Sequence, residues 1–569
     1  MNHFKEKPFN LNDEDVNWVQ HTLDGMTLEE KIHQLFCLIA YSSDGEYLKY
    51  LSQHLQVGGV MCRVMPTEEV KDTVSQLQRH SKIPMLIAAN LESGANGISK
   101  DGTKLGTQMQ VAATGEVDMA AKLGTVCARE GTALGANWSF APIIDIDYNF
   151  RNPITNTRTF GSNPERVAEM GKAYVEAVQG YDMAACIKHF PGDGLDERDQ
   201  HLVTSINDFS CEEWDVTYGN AYKTSIDAGC KTVMIGHIMH PAYTRRLNPG
   251  IADEHILPAS LSYELTTQLL KEQLGFKGLV VTDASTMAGM VIPMHRAKAV
   301  PMAIAAGCDM FLFTKNLEED IAYMRQGVED GVISQERLND AVSKILALKA
   351  SLKLHIKQQE GTLIPQDQTI RELVGHPEHL EWAKACADKA ITLVKEEQGI
   401  LPMDSSKFKS ILLHGIEASE GSIGYGVKSG AVDKIKGELE NRGYQVELFL
   451  PKPGFEGMMG SYKEVVEKYD LIIYVANLAT KSNQTIVRIE WAEPMGANVP
   501  FYVNVVPTIF ISLENPYHLL DVPRVKTYIN TYGSSDLIIG SLLDKLEGKS
   551  PFKGKSPVDP FCGKWDAQL

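Results

Sequence analysis

The groups able to do chemistry in this 569-residue chain sit where apolar runs break off into polar residues. Five such breaks fall in the first half: Asn90, Leu91, Glu92; then Asp145, Ile146, Asp147; then Lys188, His189; then His237; then Thr282, Asp283. A charged stretch, LDERDQH, follows the third break and adds Asp196, Glu197, Asp199 and His201. Carboxylates beside imidazoles and a lysine can exchange protons and stabilise a developing cation, which suits cleavage of a polar, neutral molecule such as a sugar. No His-Glu-x-x-His spacing occurs near these residues, and His237 and His240, three apart, point to opposite faces of a strand. The pattern therefore predicts neither a metal nor a cofactor.

Bland roles compete at each position. Asp283 precedes Ala-Ser-Thr-Met and could cap the next helix. LDERDQH could be a solvated charged loop, His189 a satisfied core imidazole, and Lys188 one half of a salt bridge. Asp145 and Asp147, two apart, share a strand face and suit the floor of a pocket, although Asp147 could equally form a turn. An unperturbed imidazole titrates near ~6.5, so His201 can give and retake a proton around neutrality without strong burial. The glycines of PGDG, at 191 to 194, suggest a segment that swings His201 in and out.

What must position these groups is a regular alternation. Eight apolar runs rich in β-branched residues, at 33 to 40, 58 to 64, 84 to 90, 136 to 146, 183 to 190, 230 to 238, 277 to 284 and 308 to 314, are separated by helix-compatible segments. That count predicts an α/β fold, a (β/α)8 barrel, whose function gathers at the C-terminal ends of the strands. Leu338, Val342, Ile345, Leu346 and Leu348 keep helical spacing and close a catalytic barrel over 1 to 355. A polar stretch around KQQEGTLIPQDQT reads as a linker, 356 to 372. Strand runs at 410 to 414, 445 to 450, 470 to 476 and 507 to 513 then predict a second, open α/β sandwich domain over 373 to 569. GSIGYG at 421 to 426 lacks the lysine of a phosphate loop and reads as a turn.

Bulk properties exclude whole classes. A formal charge of -18 repels phosphate backbones and anionic lipid, and no basic run offsets it, so neither nucleic acid nor membrane is an expected partner. The first residues lack the apolar core of a secretory signal, and no stretch reaches the length of a membrane span, which predicts a cytoplasmic protein. Nine cysteines at irregular spacing predict buried, reduced thiols.

The segment KHFPGDGLDERDQH, 188 to 201, resembles the signature of glycoside hydrolase family 3, in its β-N-acetylglucosaminidase branch: Lys-His-Phe-Pro-Gly-x-Gly and then Asp-x-His, matched by Asp199 and His201. NFRNPITNTRTFGSNPERV at 149 to 167, GFKGLVVTDA at 275 to 284 and AITLVKEEQGILPM at 390 to 403 resemble three further family segments in the same order. The resemblance implies an exo-acting, retaining β-N-acetylhexosaminidase with a carbohydrate substrate and a covalent intermediate on Asp283. It implies that His201 is the acid/base and that Asp199 orients its ring, with Asp196 and Glu197 as rival proton donors in the same loop. Lys188, His189 and Arg158 match sugar-binding positions, with a rim salt bridge as the bland role of Arg158; Asp147 and His237 are counted with them as substrate-binding. The sequence departs at Asn90 to Ala95, where the family reads Asp-x-Glu-Gly-Gly-Arg: an amide replaces the carboxylate that grips the far side of the sugar, so the preferred hexosamine can differ. Two alternatives stay open, phosphorolysis, because a histidine acid/base repels phosphate less than a carboxylate does, and an inactive carbohydrate-binding protein. A third, the family's broader β-glucosidase branch, is disfavoured by the Asp-x-His match, since that branch takes its acid from a carboxylate outside this loop. The second domain is expected to lend structural support and a homodimer contact.

Overall fold

A computed structural model describes residues 1 to 417, 430 to 452, 455 to 483, 485 and 487 to 569. The GSIGYG segment lies outside the described residues. The chain forms two compact units, one of Met1–Leu105, Val117–Asn149 and Asn163–Leu380, the other of Gly106–Glu116, Phe150–Ser162 and Glu381–Leu569.

The first unit is a parallel α/β barrel of eight strands: β1 (Phe36–Ile39), β2 (Gly59–Met61), β3 (Leu86–Ala89), β4 (Trp138–Ser139), β5 (Ala184–Phe190), β6 (Thr232–Ile235), β7 (Leu279–Thr282) and β8 (Phe311–Leu312). Each pairs with its sequence neighbour, β8 pairs with β1, and a parallel bridge from Val281 to Met310 nearly closes the ring between β7 and β8. Apolar runs that cannot alternate must be buried on both faces, and all seven residues of β5 and all four of β7 are buried. Burying each Val or Ile of these strands is worth about 1.5–3 kcal/mol against exposure. The fourth run is shorter than its apolar length, because Pro142 offers no N–H to the ladder; pairing resumes at Ile143, which bridges to Lys188. The closing helix is Gln335–Ser351, begun by Ser334, whose Oγ accepts from the Arg337 N–H at 3.1 Å.

The stretch expected as a linker carries two helices, Leu354–Glu360 and Asp367–Leu373, and packs within the first unit. His355 stacks on Trp18 at 4.7 Å, and Gln358 Nε2 donates to the Ser81 carbonyl at 2.8 Å. Such distant partners recruit a polar segment that no local pattern marks as ordered.

The second unit holds a six-stranded mixed sheet: β9 (Thr392–Glu396), β10 (Ser410–Glu417), β11 (Gln445–Leu448), β12 (Leu471–Asn477), β13 (Thr508–Ser512) and β14 (Thr527–Asn530), in the order β9-β14-β13-β12-β10-β11, with only β9 antiparallel. Alternate residues of β12 feed two cores: Leu471, Ile473 and Val475 on one face, Ile472, Tyr474 and Ala476 on the other. β9 and β14 are additions to the four expected strands. Their mutual pairing gives them an edge of the sheet that their short sequences do not announce. The nine cysteines are free thiols, eight of them buried. Among the described residues no helix is long and apolar enough to cross a membrane.

Candidate active site

The C-terminal ends of β5, β6 and β7 bring the chemistry together. Asp283 follows β7, and its main-chain N–H donates to the Ile235 carbonyl of β6 at 2.8 Å, which fixes where the side chain leaves the barrel. The carboxylate accepts from the Ala284 N–H at 2.7 Å and lies 3.8 Å from His189 Nε2. Burial pushes this carboxyl up, but the imidazoles of His189, His237 and His201 and the Ala284 N–H outweigh it and hold Asp283 below its ordinary value. The next helix is Ala288–Val291 with Met287 at its cap, so Asp283 is not a helix cap.

His189 is held by Asp145, which is buried. The two oxygens of that carboxylate accept from His189 N–H at 3.0 Å, from His189 Nδ1 at 2.7 Å and from Asp193 N–H at 2.8 Å. With Nδ1 committed, Nε2 faces Asp283. Lys188 is 3% exposed and donates to Glu92 Oε1 at 2.8 Å, a charge-assisted bond that places ammonium and carboxylate side by side.

The loop after β5 is anchored along its length. Asp199 is buried; its Oδ1 accepts from His201 N–H at 2.8 Å and from His201 Nδ1 at 2.7 Å, while the His201 side chain stays 30% exposed. Because a carboxylate only accepts, Nδ1 carries the proton and Nε2 is the nitrogen left to exchange one. The segment expected to swing is packed instead. A Cβ on Gly192 would sit 2.1 Å from the Tyr218 ring, and one on Gly194 2.0 Å from the Ile146 carbonyl. Tyr218 Oη donates to the Asp193 carbonyl at 2.7 Å, and the Asn149 N–H donates to the Gly194 carbonyl at 2.9 Å. These glycines permit close approach and positive φ, not a hinge. Beside the loop, a cleft of about 540 Å³ is lined by Asn149, Leu195, Asp196, Arg198, Ile206 and Arg245, among others.

Residues 27 to 348 match the glycosyl hydrolase family 3 N-terminal domain. The chain belongs to glycoside hydrolase family 3. It is 54% identical to a β-N-acetylglucosaminidase/β-glucosidase of Cellulomonas fimi, over 99% of both chains. Among solved structures it is similar to the β-glucoside phosphorylase BglX, at 42% identity and a TM-score of 0.93, covering 100% of both chains. A family 3 β-N-acetylglucosaminidase from Paenibacillus sp. str. FPU-7 shares the fold at 24% identity and a TM-score of 0.77, covering 94% of this chain and 99% of that one.

For this family 3 barrel the expected residues separate into groups. Asp283, His189, Lys188, Asp199 and His201 stand at the ends of β5 and β7 or on the loop between β5 and β6, with Asp283 against His189, Asp199 bonded to His201 and Lys188 bonded to Glu92. Asp147 is buried at the end of the β4 segment. Asn90 is exposed just beyond β3. His237 is buried, its Nδ1 accepts from Ser260 Oγ at 2.8 Å, and its Nε2 donates to the Ala284 carbonyl at 3.0 Å, so both ring nitrogens are bonded to protein groups beside Asp283. Burial also pushes its imidazole below the ordinary value, against the pull of the Asp283 carboxylate. Arg158 lies in Phe150–Ser162, which folds with the second unit: Asn156 Nδ2 donates to Asn515 Oδ1 at 3.2 Å, and Ser162 N–H to the Pro557 carbonyl at 3.1 Å. The barrel unit by itself does not supply Arg158. Asp196 is taken up by Arg198, with Nε at 2.8 Å and Nη2 at 2.7 Å, and by the Ile206 N–H at 2.9 Å, and Glu197 is exposed. Three supporting residues went unseen in the sequence. Gln200 and Asp193 sit inside the recognised motif, whereas Ser260, in LPASLS, carries no signal at all.

Proposed function

We propose that this family 3 enzyme is an exo-acting, retaining β-glycosidase that releases terminal β-linked N-acetylglucosamine or glucose from small glycosides. One observation carries the reading: an ionised Asp283 among three imidazoles, with the loop imidazole His201 paired through Nδ1 to buried Asp199. In the first step an Asp283 oxygen bonds to the anomeric carbon as the glycosidic C–O bond breaks, and the proton on His201 Nε2 passes to the departing oxygen. In the second, water bonds to the anomeric carbon, gives its proton back to Nε2, and the Asp283 ester breaks, restoring the original configuration. Asp199 orients the ring and stabilises the imidazolium. Lys188 and His189 offer donors to the sugar hydroxyls, and Asn90 offers a neutral amide to the side of the sugar remote from the bond that is cleaved. The Cellulomonas fimi relative, named for both activities, supports that dual range.

A panel of chromogenic β-glycosides with and without the 2-acetamido group tests the reading. Turnover of both gluco-configured substrates supports it, and failure on both sinks it. Asp283→Ala should abolish turnover, and His201→Ala should hurt substrates with poor leaving groups far more than those with good ones.

A second reading has its own support in the full-length likeness to a β-glucoside phosphorylase. There phosphate replaces water in the second step, and a histidine acid/base adds no negative charge in its path. Accumulation of a sugar 1-phosphate in phosphate buffer would establish it; free sugar released at a rate indifferent to phosphate would exclude it.

A further inference from the structure

We propose that Gln200, the residue between Asp199 and His201, is a positioning residue: it bolts the proton-transfer loop to the ends of β5, β6 and β7, so that His201 is held in place before substrate arrives. This rests on the reading of His201 as the proton-transfer group.

The loop divides sharply in burial. Glu197 and Arg198 are exposed, whereas Asp199 and Gln200 are buried, Gln200 to 1% exposure. A primary amide withdrawn from water costs free energy unless both its ends are bonded, and here both are. Oε1 accepts from the His237 N–H, just past β6, at 2.8 Å. Nε2 donates to Asp193 Oδ2, just past β5, at 3.2 Å. The Gln200 carbonyl accepts from the Gly289 N–H, beyond β7, at 3.2 Å, and the neighbouring His201 carbonyl accepts from Ala288 N–H at 3.0 Å. A Cβ on Gly289 would come 2.5 Å from the Gln200 carbonyl, so the approach is as close as a glycine allows.

Each partner leads back to a group of the site. Asp193 N–H donates to Asp145, which holds His189 against Asp283. His237 donates through Nε2 to the carbonyl of Ala284, next to Asp283. Gln200 is thus the side chain through which the acid/base loop and the surroundings of the nucleophile share one hydrogen-bonded frame. A charged residue could not replace it, because the site asks for an acceptor towards His237 and a donor towards Asp193, and among side chains of this reach the neutral amide supplies both. A preorganised donor pays its ordering cost on folding, not at the moment of reaction.

The test compares two variants of the full-length enzyme on two glycosides of one sugar, with a good and a poor leaving group. The ratio of their kcat/KM values is independent of how much enzyme is folded. Gln200→Met keeps the volume and deletes both anchors. It should raise the good-to-poor ratio about 10²-fold, the low end of what general acid catalysis contributes, through kcat and with KM little changed. Gln200→Glu keeps the His237 anchor and sets a carboxylate against Asp193. It should raise the ratio near neutrality and return towards native as pH falls and a proton bridges the two carboxyls. The titratable groups around that position are Asp193, Asp145, His189, His237, Asp199, His201 and Asp283, so native enzyme is measured at each pH as reference. A native ratio in Gln200→Met overturns the proposal; if that variant does not fold, a ratio in Gln200→Glu that tracks native at every pH overturns it. His201→Ala separates the two failures. If it raises the ratio while the Gln200 variants do not, only the positioning role falls; if it too leaves the ratio native, the acid/base reading falls with it.

Discussion

Removing the His189 ring should move the acid limb of the activity profile upward. In the proposed mechanism Asp283 must be ionised to attack, so kcat/KM should rise with pH through its pKa, and the native carboxyl titrates below its ordinary value because neighbouring imidazoles outweigh its burial. His189 acts most strongly of those imidazoles, with Nε2 3.8 Å from Asp283 Oδ2. A unit charge at that separation, with an effective dielectric of about 20, is worth about 4 kcal/mol as a ceiling. Water entering the space left by the ring hydrates the carboxylate and returns part of this, so His189→Ala should raise the limb measurably but short of that ceiling. The assay is kcat/KM against pH across the acid range, with an activated aryl glycoside whose departure needs no proton, so that His201 does not shape the curve. Lost sugar contacts lower the amplitude but leave the position of the limb untouched. Asp145→Asn, which keeps the ring but weakens its hold, should give a smaller shift in the same direction. An acid limb at the native pH in His189→Ala would refute the electrostatic argument.

Three further outcomes follow from the same geometry. Gly194→Ala forces a Cβ to 2.0 Å from the Ile146 carbonyl at a φ of +102°, and should cost about 1–3 kcal/mol of backbone strain besides the clash, read as a fall in Tm together with weaker activity on poor leaving groups. Asp309 is buried between Lys271, Lys344 and Arg337; burial pushes its carboxyl up, but these cations and the Val280 N–H hold it far below the ordinary range. Its stabilisation is complete above the unfolded carboxyl's pKa and is lost as pH falls towards the folded one, so Asp309→Ala should cost about 3–5 kcal/mol at neutral pH and less in acid, measured by urea unfolding. Ser260→Ala leaves His237 Nδ1 without its 2.8 Å partner and should cost about 1–3 kcal/mol in stability, with only a modest loss of kcat if His237 supports the nucleophile strand and touches no substrate. A large rise in KM would return His237 to the sugar.

The sequence by itself determined the eight barrel strands and which residues crown them. Long apolar runs ending in Asp283 or Lys188-His189 have no stable place except a strand buried on both faces, and a strand's last residues emerge at the barrel rim whatever else the fold does. The short Asp199 to His201 spacing likewise placed carboxylate and imidazole within reach, because two residues cannot separate far. Only the tertiary structure decided what each polar group does with its second hydrogen-bonding face. Asp145 meets His189 across 44 residues of chain, Lys188 meets Glu92 across 96, and His237 meets Ala284 across 47. The same holds for the glycines of the loop. Local reasoning takes them for freedom, and Tyr218 and the Ile146 carbonyl, brought in from elsewhere, turn them into close-packing positions. Periodicity and chain stiffness act over a few residues and are written locally, whereas hydrogen-bond satisfaction and steric exclusion in a buried site depend on neighbours that only folding supplies.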